Sequence, residues 1–202
     1  ASSAASDVYK RQVLDLAGID LSTKVNGGEI IIDRGKLTGV LIDNSMNLVD
    51  KIIPEPTKDE AIKALLSAQE IAFKNGLTTI SDAGLTKNQI DLIDELHQDG
   101  ILKIRMYAMI QNDSSSINHF LKTGPYKTDR LNVRSVKVYV DGALGSRGAL
   151  LIDDYSDRKG HKGIIVTPID SISSLAFKLA GTKFQMNTHA IGDRANRIVL
   201  NA

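Results

Sequence analysis

Residues 136–151 read VKVYVDGALGSRGALL, and the fold turns on how that stretch is understood. Val136, Val138 and Val140 alternate with Lys137, Tyr139 and Asp141, the period-two pattern of a β-strand. One face is wholly apolar and requires a core. The other lines up an amine, a phenol and a carboxylate, which a strand covered on both sides tolerates only at a site. On an edge strand the same charges would simply be solvated. Asp141-Gly142 ends the strand, and a loop carrying Gly142, Gly145 and Gly148 follows.

Outward from this strand, helix and strand alternate. Upstream, Thr57 with Glu60 makes a capping box and opens a helix with the apolar stripe Ile62, Leu65, Leu66, Ala68, Ala72 and Phe73, closed by Gly76. LTTISDAG (77–84) reads as a strand. Thr86 with Gln89 repeats the box and opens a helix that stops at Gly100. KIRMYAMI (103–110) is the next strand, with Ile104, Met106, Ala108 and Ile110 on one side and Arg105 and Tyr107 on the other. Serines at 114–116 start a short helix that Gly124-Pro125 ends. Downstream, Thr167-Pro168 opens a helix to Gly181, FQMNTHAIGD (184–193) is a further strand, and Asp193 is placed to cap a last helix.

This alternation with short links dictates a parallel sheet, so the expected fold class is α/β. Three strands carry polar residues on one face: Arg105 and Tyr107; Lys137, Tyr139 and Asp141; Gln185, Asn187 and His189. An open parallel sheet meets helices on both faces and reads apolar on both. A recurring polar face therefore favours a barrel, whose site gathers at the C-terminal ends of the strands.

The N-terminal quarter is different. ASSAASDVYKRQ (1–12) is small and polar and reads as a disordered or cloning-derived leader. In residues 13–56, VLDLAGID suggests a helical turn closed by Gly18, and EIIIDRGKLTGVLID (29–43) suggests two strands around a turn at Arg34-Gly35-Lys36. The expected organisation is a leader (1–12), an inserted segment with a short hairpin (13–56) and part of a (βα) barrel (57–202). The ending GDRANRIVLNA carries no cap or breaker and reads as the middle of a helix, as in a piece of a longer chain. A net charge of +1 over 202 residues gives no electrostatic case for nucleic acid or membrane partners. The lack of cysteine excludes disulfides and thiolate metal sites and leaves the compartment open.

Lys137 and His189 fall on corresponding faces of neighbouring strands. A desolvated lysine has a lowered pKa, and its neutral amine can add carbon dioxide to give a carbamate that bridges two divalent metals. Neutral imidazole is a standard ligand for the same ions. Asp82, Tyr139, Asp141 and Arg147 are candidate substrate contacts. Two of these have a plainer reading as well. Asp82 suits an Asx-turn or a helix cap, and Arg147 suits an ion pair with an acidic loop residue. His97, near a helix C-terminus, is a favourable dipole partner, while His119 and His161 read as surface residues. GALGSRG (142–148) has the look of a phosphate cradle without the Gly-Lys-Ser/Thr of a P-loop, so the alternative function is a phosphate- or nucleotide-binding α/β domain.

Taken together, VKVYVDGALGSRGALL and THAIGDRA (188–195) resemble two signature blocks of the YtcJ-like branch of the amidohydrolase superfamily. VLDLAGI, GKLTGVL, PTKDEAIKAL and GLTTISDAG follow the same family in order. The resemblance implies a metal-dependent hydrolase of C–N bonds other than peptide bonds, with a small amide-type substrate and a divalent metal, zinc by expectation. It implies a (βα)8 TIM barrel in which Lys137 is the carboxylated lysine of the fourth strand and His189 the metal histidine of the fifth. The family's His-x-His of the first strand, its sixth-strand histidine and its eighth-strand aspartate have no counterpart here. The expectation is thus a partial barrel, roughly the second to fifth strands, inactive alone and weak or null in metal binding. Its raw sheet edges are expected to pair two copies as a homodimer.

Overall fold

The structure, a computed structural model, describes residues 6–202, with side chains from Val8 onward. In chain order the elements are β1 (Ser6–Val8), α1 (Arg11–Leu16), β2 (Gly28–Asp33), β3 (Lys36–Asp43), α2 (Asn47–Asp50), α3 (Lys58–Lys74), β4 (Thr79–Leu85) and α4 (Lys87–Gln98). There follow β5 (Arg105–Gln111), α5 (Ser114–Thr123), β6 (Tyr126–Lys127), β7 (Leu131–Tyr139), α6 (Ile169–Ala180), β8 (Gln185–His189) and α7 (Asp193–Leu200). They divide into two compact units. One comprises Glu55–Val138 and Leu175–Asn187; the other takes the chain up to Pro54, Tyr139–Ser174 and Thr188–Ala202.

In the first unit, β4 pairs with β5 and β5 with β7, all parallel, so these strands follow one another in sequence order without reversal. β8 also pairs with β7, and the two-residue β6 lies antiparallel to the start of β7. The apolar alternation is realised in full: Ile104, Met106, Ala108, Ile110, Val133, Val136 and Val138 are all buried. On the polar face, Tyr107 on β5 donates its hydroxyl to Gln185 Oε1 on β8 at 3.2 Å, although β7 lies between their strands. Asn187 likewise donates to Ser135 Oγ at 3.0 Å.

Both capping boxes form. Thr57 accepts from Glu60 N at the start of α3, Thr86 accepts from Gln89 N at the start of α4, and each partner side chain bonds back. α5 instead takes Asp113 as its cap, its carboxylate accepting from Ser116 N at 2.8 Å. Removing the Thr57 hydroxyl and methyl (Thr57→Ala) is expected to destabilise the protein by about 1 kcal/mol, read as a lower urea midpoint with unchanged slope. His97 lies in the last turn of α4, as its sequence position implies. Burial, the larger influence, holds it below the usual histidine range, while the contact of Nε2 with the Ile104 carbonyl at 2.9 Å works in the other direction.

The second unit contains an antiparallel sheet in the order β1-β3-β2. The β2–β3 hairpin turns on Arg34 and Gly35, both with positive φ (47° and 72°), the conformation that two-residue hairpin loops require. Leu14, Ile19, Leu41 and Val49 form its core cluster, with Tyr9, Val13, Ile30 and Met46 packed against them. The leader expected at 1–12 is partly structured: β1 pairs with β3, and α1 begins at Arg11. An edge of β3 was open to it, and short polar sequence is no bar to backbone pairing. Residues 1–5 of that leader lie outside the described residues. The result is a mixed α/β fold built on a parallel sheet.

Candidate functional site

Beyond the end of β7 the chain continues to Asp141, a 1% exposed carboxylate in the second unit. Its burial is made tolerable by three backbone donors. Oδ2 accepts from Leu150 N and Gly192 N, each at 2.8 Å, and Oδ1 accepts from Ile191 N at 3.0 Å. One side chain thus ties the strand end to the glycine loop and to the turn that precedes α7. The chain crosses itself closely here: a methyl on Gly192 would overlap the Leu150 carbonyl, and one on Gly163 would overlap the Ala149 carbonyl.

The same carboxylate faces His189. Nε2 of His189 lies 3.9 Å from Asp141 Oδ1, too far for a hydrogen bond, and this buried nitrogen has no hydrogen-bond partner. Val140 N donates to the His189 carbonyl at 3.0 Å, and the Tyr139 ring is tilted against the imidazole with centroids 5.4 Å apart. Asp141, Tyr139 and His189 are therefore brought together. Asp193, placed by its sequence as a helix cap, is instead the first residue of α7, whose cap is Gly192; its Oδ1 accepts from Ile152 N at 2.9 Å.

Arg147 holds Asp157 in a two-nitrogen pair at 2.7–3.1 Å, the plainer of its two readings. His161 is part-buried, with Nε2 2.8 Å from the Arg147 carbonyl. In the first unit, Lys137 on β7 is half-buried, and burial holds its ammonium below the usual lysine range. Its Nζ donates to the Val138 carbonyl at 3.2 Å. Asp82 lies within β4 opposite Ala108 of β5, not at a strand end, and the cap of the following helix is Thr86. Among the described residues, no group of three or more His, Asp or Glu is arranged to hold a metal ion.

The sequence pointed past one residue of this cluster. Asp43, at the end of β3, has φ 51° and one buried oxygen, Oδ2, without a partner. Its carboxylate packs directly on the Cα atoms of Gly142 and Gly148, where a methyl group would overlap the oxygens. This bears on the phosphate-cradle alternative. The amides of Gly142, Arg147, Gly148 and Ala149 donate to carbonyls of the loop itself, and an anionic side chain already lies against its glycines. Neither feature suits a phosphate. An Asp-Asn-Ser turn after an apolar strand signals only local capping, which is why Asp43 is invisible as a site residue in the sequence.

The chain matches the Amidohydrolase family over residues 2–202. It is 31% identical to Protein LONG AFTER FAR-RED 3 of Arabidopsis thaliana over 93% of the chain and 35% of that protein. It is 29% identical to the putative amidohydrolase YtcJ of Bacillus subtilis over 94% of the chain and 37% of that protein. The chain thus spans little more than a third of these relatives' length. Among solved structures, uncharacterized metal-dependent hydrolases of Pyrococcus horikoshii and Pyrococcus furiosus superpose with TM-scores of 0.74 and 0.71 at 24% and 25% identity. Each alignment covers 98% of this chain, and 39% and 41% of the respective hydrolase. With the family match running through both units and both signature blocks, the chain belongs to the amidohydrolase family.

Proposed function

We propose that this chain is part of a metal-dependent hydrolase acting on C–N bonds other than peptide bonds, built on roughly the second to fifth strands of a (βα)8 barrel. Lys137 and His189 are its share of the metal ligands. The observation that carries this reading is His189 Nε2, a buried ring nitrogen at a strand end with no hydrogen-bond partner. Such an atom is unfavourable unless something occupies its lone pair or takes its proton. Lys137 supports the same reading: burial has already shifted it toward the neutral amine from which a carbamate forms. The barrel is supported by the sequential parallel strands and by the reach of Tyr107 to Gln185 across an intervening strand, as on the concave side of a curved sheet.

A bound divalent ion, zinc in this reading, would supply Lewis-acid polarisation of a small amide's carbonyl and activation of water. The chain's own residues do the positioning. Asp141 fixes the turn that follows His189 through the Ile191 and Gly192 amides, and the Val140 amide holds the His189 carbonyl. Zinc normally takes three or four protein ligands, so the 202-residue chain alone, with two, is expected to bind it weakly and to show no amidase activity. The reading is tested in the full-length protein by metal analysis and hydrolysis of a panel of N-acyl amides. His189→Ala and Lys137→Met are each expected to lower metal content and abolish turnover while leaving the circular dichroism spectrum unchanged. Retention of metal and turnover by both variants would overturn it.

A further inference from the structure

Asp43 is unexplained by metal chemistry or by local capping, and its surroundings are specific. Neither Gly142 nor Gly148 has a positive φ, so their backbone conformation does not call for glycine. What calls for it is Asp43: a Cβ at Gly142 would meet the carboxylate carbon at 2.6 Å, and one at Gly148 would meet Oδ2 at 2.5 Å. Two of the three glycines of the 142–148 loop thus form a seat for one carboxyl group. The third, Gly145, has nothing near it.

Asp43 is held to this seat from its own side. Its left-handed backbone is unusual for a residue other than glycine and persists where neighbours fix it. Asn44 donates through Nδ2 to the carbonyls of Asn26 and Val166 at 3.1 and 2.9 Å. Ser45 Oγ accepts from Ile42 N at 2.8 Å and lies 2.9 Å from the Glu29 carbonyl. The turn after β3 is therefore fastened on both sides of the carboxyl.

The charged group facing Asp43 is Asp141. His189 Nε2 lies 3.9 Å from Asp141 Oδ1, and Arg147, on the same loop, is turned to Asp157. Two neighbouring carboxyls held partly out of water do not both ionise readily. Asp141 accepts from three N–H donors, whereas Asp43 Oδ2 has no partner. Asp43 is therefore the carboxyl of the two left without donors. We infer that Asp43 is a positioning residue: its carboxyl, seated on Gly142 and Gly148, holds the glycine loop and, through it, the Asp141 clamp on the turn following His189, most firmly when it is uncharged. This holds whether or not His189 binds a metal.

Burial, and then the charge of Asp141, push the Asp43 carboxyl up to about 6 from an ordinary 3.8. The folded value lies above the unfolded one, so the stabilisation is complete below about pH 3.8 and is lost as pH rises through about 6. That is opposite to the usual behaviour of a paired carboxylate.

The test uses the 202-residue chain itself. Carbon-13 titration of its side-chain carboxyls, with Asp43 assigned by its disappearance in Asp43→Asn, should show Asp43 titrating near pH 6; a midpoint near 4 overturns the inference. Hydrogen exchange is the second readout. Protection of the Leu150, Ile191 and Gly192 amides, corrected for base catalysis, should fall about tenfold between pH 5 and 7.5 in the wild type. Asp43→Asn, which keeps shape without charge, should hold protection at the pH 5 level throughout. A pH-independent wild-type profile, or loss of protection in Asp43→Asn at pH 5, overturns the positioning role. The wild-type titration decides the matter even if a variant does not fold.

Discussion

Asp141→Ala is expected to destabilise the protein by about 4 kcal/mol or more, most of the margin of an ordinary domain. Hydrogen bonds to a charged acceptor contribute about 1.5–3 kcal/mol each, and this carboxylate takes three. Truncation leaves the Leu150, Ile191 and Gly192 amides facing a cavity, the first and last of them away from solvent. Part of the loss is recovered because Asp43 no longer faces the Asp141 charge. Asp141→Asn separates these contributions. Its oxygen can keep the Leu150 and Gly192 bonds, but its amide group opposes the Ile191 donor, so about half of the loss should return. Urea unfolding followed by circular dichroism measures both. A loss of under 1 kcal/mol for the alanine variant would mean that water replaces the clamp and that Asp141 is a surface-like group, contrary to its burial.

Gly192→Ala is the second large effect, expected at about 3 kcal/mol. Gly192 has φ −71° and ψ 151°, which any residue adopts, so no conformational strain is involved. The added methyl would overlap the Leu150 carbonyl and come within 2.6 Å of the Leu150 nitrogen. These are backbone atoms that cannot rotate away. Making room separates the turn before α7 from the glycine loop and stretches the Gly192–Asp141 bond. Gly76→Ala is the control. Gly76 has φ 75° with nothing within 4 Å of an added Cβ, so its cost is purely conformational, about 1 kcal/mol. Equal losses for the two variants, measured by thermal unfolding, would show that the turn and the loop yield easily.

Much of this molecule can be read from short-range pattern. The two capping boxes, the buried alternation along β5 and β7, and the turn at Arg34-Gly35 depend on residues within four positions of one another, and all appear in the structure. Family membership was legible for a related reason: two signature blocks are contiguous stretches, recognisable without their surroundings. His189 was picked out as a strand-ending histidine, and it does end β8 with a buried, unpartnered nitrogen.

What local pattern could not assign is which distant polar group arrives beside which. Asp141 lies on the polar face of its alternation, and only the return of residues 150 and 191–192 makes it a buried clamp rather than an exposed contact. Asp193 has the sequence position of a cap, but the Ile152 amide, 41 residues away, takes its carboxylate. The glycines at 142 and 148 resemble an anion cradle until Asp43 is seen against them from about a hundred residues upstream. A buried polar group is stable only with its partners in place, and those partners are chosen by chain packing over long separations. Periodicity along the sequence carries no record of that choice.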